Sequence, residues 1–202
     1  AANKKIKDLN ASSTKGLNKV YWDLSVNPPK VARGGYIAQS SVLISSVIGP
    51  KVDIGKYKIV VKADGKEYVQ NIQIEANPAK GLDAASIGLL NKQSMRLFNL
   101  HEHLFTLVDS LDKTVKTISK GDTTVPAVKE KLHKLDSFKR EIVELNRKSI
   151  FFDEFKYRRR VSDLYYSVAS GLEPLSTSQE KGITLLEDQF VVFQKRFFEL
   201  LK

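Results

Sequence analysis

Three groups of side chains in this sequence have the types that do chemistry. His101-Glu102-His103 offers two imidazoles and a carboxylate. A helical metal site needs histidines four apart, so that both face one ion. Two apart on a helix, these diverge by about 200°, so the spacing does not point to a metal. Glu141 with Glu144, and Asp153 with Glu154, are carboxylate pairs. Glycoside hydrolysis needs two acids facing each other across a cleft, whereas Glu141 and Glu144 share one helix face. Arg158-Arg159-Arg160 is the densest charge cluster, with Phe151, Phe152 and Phe155 just before it. Asp153, Glu154 and Asp163 can neutralise these arginines. Arginine and aromatic residues are enriched at protein contacts, so Arg158, Arg159, Arg160, Phe151 and Phe152 form a candidate protein-contact surface. Tyr21, and Tyr36 after a double glycine, are candidate ligand contacts. There is no Gly-rich phosphate loop and no Ser/His/Asp arrangement in a recognisable context. No cofactor is implied, and the chain has no cysteine, which excludes disulfides, thiolate nucleophiles and Cys-ligated metals.

The elements that must position these residues change character at Asn77-Pro78. Before it, apolar residues alternate every second position, as in strands; after it, they recur every third or fourth, as in helices. Val20, Trp22 and Leu24 predict a half-buried strand. Tyr57, Ile59 and Val61 predict a second, and Tyr68, Ile72 and Ile74 a third, with Gln70 in the inward row. Asp64-Gly65 between the last two is a two-residue hairpin signal. Val42 to Val47 and the region of Ile6 complete a set of short strands. The expectation is an Ig-like or fibronectin-III-like β-sandwich over residues 1–77, with Trp22 in its core.

Residues 78–82 read as a linker, and 83–202 as an elongated antiparallel bundle of three or four helices. Ile87, Leu90, Ser94, Leu97, His101, Leu104, Val108, Leu111, Val115 and Ile118 form a heptad seam. This places His101 in the helix interface, where protonation would cost stability. Asp83 is the expected N-cap and Gly121 the expected stop. Thr124 is expected to cap a second helix that carries Leu135, Phe138 and Ile142. Val161, Leu164, Tyr165 and Val168 mark a third. Ser176 and Gln179 form a capping box ahead of the seam Ile183, Leu186, Phe190, Phe193, Phe197 and Leu200.

Net charge is +10. Residues 1–80 hold 13 Lys/Arg against 6 Asp/Glu, and residues 81–202 hold 20 against 17. The excess lies on the first half, where Lys56, Lys58 and Lys62 alternate along a strand. Tyr57, Ile59 and Val61 face the other way, which argues against a nucleic-acid platform, since that needs aromatics among the lysines. No apolar run approaches the roughly 20 residues of a membrane span. The opening Ala1-Ala2-Asn3-Lys4-Lys5 has no secretory-leader pattern, so a leader is expected to be absent or to lie upstream.

Several motifs carry a resemblance. Gly16 to Leu24 (Gly-Leu-Asn-Lys-Val-Tyr-Trp-Asp-Leu) looks like the G-x-N-x-x-x-W-D-L opening of Ig-like domains at the ends of exported bacterial proteins. Gly49-Pro50-Lys51-Val52, Gly55-Lys56-Tyr57-Lys58-Ile59 and Asp64-Gly65-Lys66-Glu67-Tyr68 resemble later parts of the same domains, with Asp53-Ile54 a departure. Val161-Ser162-Asp163-Leu164-Tyr165 and Leu175 to Gln179 are similar to the helical tail that follows, with Tyr166 replacing a glycine and the usual proline missing from the Ser176-Thr177 region. The combination is similar to the C-terminal region of bacterial sortilin-like proteins with BNR (Asp-box) propeller repeats, often labelled glycosyl-hydrolase-like. The S-x-D-x-G-x-T-W box itself is absent. The resemblance implies a non-catalytic accessory or interaction module of a larger exported protein, located outside the cytoplasm, with any active site upstream. Its implied partners are upstream domains of the same polypeptide or another surface protein. The alternatives are a carbohydrate-binding sandwich, or the active-site rim of a glycosyl-hydrolase-like parent.

Overall fold

The computed structural model describes residues 4–32, 45–144, 156–171 and 173–202. Among these, the regular elements are two strands, β1 (Gly55–Ala63) and β2 (Lys66–Ile74), and four α-helices. The helices are α1 (Ala84–Ile118), α2 (Pro126–Ile142), α3 (Tyr157–Ala169) and α4 (Thr177–Leu201). A 3-10 turn at Pro78–Lys80, capped by Asn77, links the strands to α1.

The expected Ig-like β-sandwich is not formed. The described residues hold one two-stranded antiparallel sheet, not the two packed sheets of a sandwich. The alternation of Val20, Trp22 and Leu24 does not produce a strand. Leu24 sits at φ 55, which breaks an extended run, and Val20 and Leu24 are exposed. Ile6 lies in irregular backbone. The strand expected over 42–47 falls partly outside the described residues; Ser45 is helical, and Ser46 and Val47 are a turn. What joins residues 24–26 to 50–52 is a single bridge, Ser25 to Lys51. Its bonds run from Val26 N–H to Pro50 C=O (2.9 Å) and from Val52 N–H to Leu24 C=O (2.8 Å). A Cβ on Gly49 would come within 2.0 Å of the Val26 carbonyl oxygen, so only glycine allows this approach.

The physical reason for the difference lies in what covers the apolar residues. Period two shows that a row shares one face, but not what that face packs on. Here the segments on either side of residues 33–44 lie against helices instead of a second sheet. Arg158 donates to the Ala32 carbonyl (2.9 Å), and Tyr165 donates to the Ile48 carbonyl (2.7 Å). The Ser45 hydroxyl donates to the Ser162 carbonyl (3.3 Å). Asn91 donates to Val52 C=O (3.1 Å) and to the Asp53 carboxylate (3.0 Å).

The core is helical. α1 is a single helix of 35 residues, about 52 Å long at 1.5 Å per residue. It packs against each of the other three helices, most extensively against α3. Asp83 caps it by accepting from Ser86 N–H. Its buried row includes Ser94, Leu97, His101, Leu104, Val108 and Leu111, all on the heptad seam. The Ser94 hydroxyl is satisfied within the helix by Leu90 C=O (2.9 Å). α1 ends at Ile118, ahead of Gly121. Val125, not Thr124, stands at the N-cap of α2, and it makes no side-chain cap bond; Thr124 bonds to Asp122 instead. Pro126 occupies the first turn of α2, where its missing N–H costs nothing. Ser176 and Gln179 form the reciprocal capping box of α4. An aromatic layer closes the far side of the core. Phe138 meets Phe193 edge-on at 5.9 Å and stacks on Phe197 at 6.4 Å. Tyr157 meets Phe193 at 5.0 Å and donates to the Leu186 carbonyl (2.6 Å). Among the described residues, no helix is long and apolar enough to cross a membrane.

Candidate functional site

The three members of His101-Glu102-His103 diverge, as their helical spacing requires. His101 points into the core between α1 and α3 and meets Tyr165 edge-on at 5.3 Å. Among the described residues neither ring nitrogen has a hydrogen-bond partner. Desolvation, reinforced by the nearby positive charge of Arg158, holds its pKa down at about 3. Glu102 accepts the Lys30 backbone N–H. His103 stacks on Phe190 of α4 at 6.0 Å. No group of three or more metal-ligating side chains occurs among the described residues.

Of the carboxylates, Glu141 is committed to an ion pair. Glu141 takes a bidentate hold on Arg196 (2.7 and 2.8 Å), and this hydrogen bonding keeps its carboxyl below the usual range. Arg196 also lies over the Phe138 ring at 5.2 Å. The result joins α2 to α4. Asp153 and Glu154 lie outside the described residues, as do Phe151, Phe152 and Tyr36.

The arginine triplet fans out around α3. Arg158 is 4% exposed and reaches the Ala32 carbonyl; its desolvation, partly offset by Glu144, lowers its pKa to about 10. Arg159 pairs with Asp163 one turn on (2.7 Å). Arg160 donates to the Gln189 side chain on α4 (2.8 Å). Arg158 therefore ties α3 to the first segment and Arg160 ties it to α4, while the Arg159 pair lies within α3. Tyr21, by contrast, is 85% exposed.

Sequence reasoning missed the surface that stands out most: the β1–β2 hairpin. Asp64 and Gly65 both have positive φ (51 and 72), as the two-residue turn demands. The register pairs Tyr57 with Ile72, Ile59 with Gln70 and Val61 with Tyr68 on one face. Lys56, Lys58, Val60 and Lys62 oppose Gln73, Asn71, Val69 and Glu67 on the other. At the base, Tyr57 meets Trp22 edge-on at 5.8 Å, and the Trp22 indole donates to Ser25 C=O (2.9 Å). Towards the tip the ribbon is open to solvent among the described residues. Val61 is 52% and Tyr68 56% exposed, and Val60 and Val69 are also open. The hairpin adds no residue to the buried core and packs against none of the helices. Among the described residues no backbone hydrogen bond reaches the outer edge of either strand. The alternation that marked these strands was legible; that their apolar face is uncovered was not.

Below Tyr57, Asp23 anchors the hairpin's support. Desolvation alone would raise its pKa, but hydrogen bonds from Lys7 (2.7 Å) and Ser25 (2.6 Å), with the Lys7 charge, bring it down to about 2.

Comparison with known proteins adds no relative: no family model, no curated protein and no solved structure matches this chain.

Proposed function

We propose that this chain is a non-catalytic interaction module in which the helices serve as a rigid mount and the β1–β2 hairpin is the recognition element. One observation carries the reading: a hairpin with an apolar face containing Tyr57, Ile59, Val61, Tyr68 and Ile72 whose tip is left in solvent. An isolated two-stranded ribbon is marginally stable in water, and an uncovered apolar strand surface is a protein-contact feature. The titratable groups that sequence reasoning singled out serve internal contacts: Glu141 with Arg196, Arg159 with Asp163, and Arg158 with Ala32. The wider setting proposed is an accessory part of a larger exported bacterial protein. The motif resemblance of Val161 to Tyr165 and Leu175 to Gln179 supports that setting.

A photo-crosslinking residue placed at Val61 or Tyr68 tests the module reading in the cells that make the protein, with the half-exposed Asp109 of α1 as the control position. Adducts at 61 and 68 but not at 109 are expected. Equal adducts at all three positions would overturn the reading. So would turnover of a glycoside or peptide substrate that a point mutation in this chain abolishes.

A further inference from the structure

We propose that the outer edge of β1 accepts an extended segment of a partner protein whose residues alternate acidic and apolar, added as a third strand. The inference rests on the module reading and names the chemistry of the partner. β1 is nine residues long and unbroken by proline, and alternate residues of an edge strand turn their N–H and C=O groups outward. A peptide pairing there continues the sheet through its backbone, and pockets beside alternate side chains set its sequence. The two faces of β1 differ sharply. Tyr57, Ile59 and Val61 lie on one; Lys56, Lys58 and Lys62 lie on the other, next to the open edge. An incoming strand must match both, with apolar side chains on the first face and acids on the second, since opposite charges on neighbouring strands stabilise pairing and like charges oppose it.

The same lysines select against other occupants. A second copy pairing through its own β1 would set lysine against lysine, and two chains of net charge +10 repel. Nucleic acid needs stacking aromatics among the lysines, yet Tyr57 and Tyr68 share the opposite face. Within the hairpin the lysines are only partly answered. Lys62 pairs with Glu67 at 3.5 Å, while Lys56 and Lys58 face the neutral Gln73 and Asn71 across the ribbon.

The test titrates the full chain with labelled peptides matched in length to β1, alternating Glu/Val, Gln/Val or Lys/Val. Glu/Val is expected to bind about tenfold more tightly than Gln/Val, with Lys/Val weakest. The triple variant Lys56→Glu, Lys58→Glu, Lys62→Glu should reverse that order. A Glu/Val peptide N-methylated at alternate residues keeps its charge but cannot pair, and it should lose binding to the unmodified protein. Equal affinity for the three peptides, or undiminished binding after N-methylation, would overturn the inference. Self-association that displaces the peptide, or tighter binding of a single-stranded oligonucleotide, would overturn it too. If the peptides fail while crosslinks at Val61 and Tyr68 stand, the acidic-strand inference falls and the module reading survives.

Discussion

Acidification should destabilise this protein through His101 before it reaches any carboxylate. In the folded chain the imidazole is fully buried and its pKa is held at about 3, from an ordinary 6.5. Once the chain unfolds, the ring titrates normally. Between the two values the unfolded state binds a proton that the folded state refuses, so stability rises with pH in that window and falls as pH is lowered from about 6.5. The slope reaches about 1.4 kcal/mol per pH unit. Between pH 7.5 and 5 the integrated loss is about 2 kcal/mol, a large part of the stability of a domain this size. Asp23, with its pKa depressed to about 2 from 3.8, contributes in the same sense but at lower pH: its stabilisation is present above 3.8 and lost only as pH falls toward 2. The two windows overlap only below pH 3.8, outside the interval from pH 7.5 to 5. The assay is urea unfolding at pH 7.5 and pH 5 for the parent and His101→Leu. The parent should lose about 2 kcal/mol more than the variant over that interval. At pH 7.5 the variant should be at least as stable, because leucine leaves no buried ring nitrogen without a partner. Equal losses in both proteins would show that His101 is reached by water or a proton acceptor, and would refute the burial reasoning.

Three further outcomes follow from particular contacts. Gly49→Ala should cost about 1–3 kcal/mol and speed amide exchange at Val26 and Val52, since the added Cβ strikes the Val26 carbonyl; unchanged exchange would contradict the close approach. Tyr165→Phe should cost about 1–2 kcal/mol in chemical unfolding, because the Ile48 carbonyl loses its donor. Leu97→Ala, at a fully buried site facing the core of α1, should lower unfolding stability by about 2–5 kcal/mol; a loss under 1 kcal/mol would indicate a loose seam.

The helices were legible because their signals are local and redundant. The α1 seam repeats every three or four residues, and Asp83 and the Ser176–Gln179 box mark two starts through bonds closed within one turn. Thr124 was misassigned because Asp122, two residues back, claims its hydroxyl and its N–H. The first half was misread for a different reason. The strand pattern over 20–24 matches a buried sheet edge, but Leu24 turns into positive φ. The partners of Ala32 and Ile48 are Arg158 and Tyr165, and no local pattern announces contacts so remote. Arg158–Arg160 drew notice as a charge run, and Arg158 and Arg160 bond to remote Ala32 and Gln189, whereas the hairpin looked like ordinary core.

The docking of the first segment on α3 also sets an order of events during synthesis. Ala32 and Arg158 are separated by 126 positions, and both Ser45 from Ser162 and Ile48 from Tyr165 by 117. At about 5–20 residues per second, a ribosome needs roughly 6–25 s to make that much chain. The β1–β2 hairpin can close within microseconds of emerging, but the contacts of Ala32, Ser45 and Ile48 cannot form until α3 has left the exit tunnel. For those seconds the nascent chain displays its wrap and its hairpin together, and a chaperone that shields extended apolar segments would meet both at once.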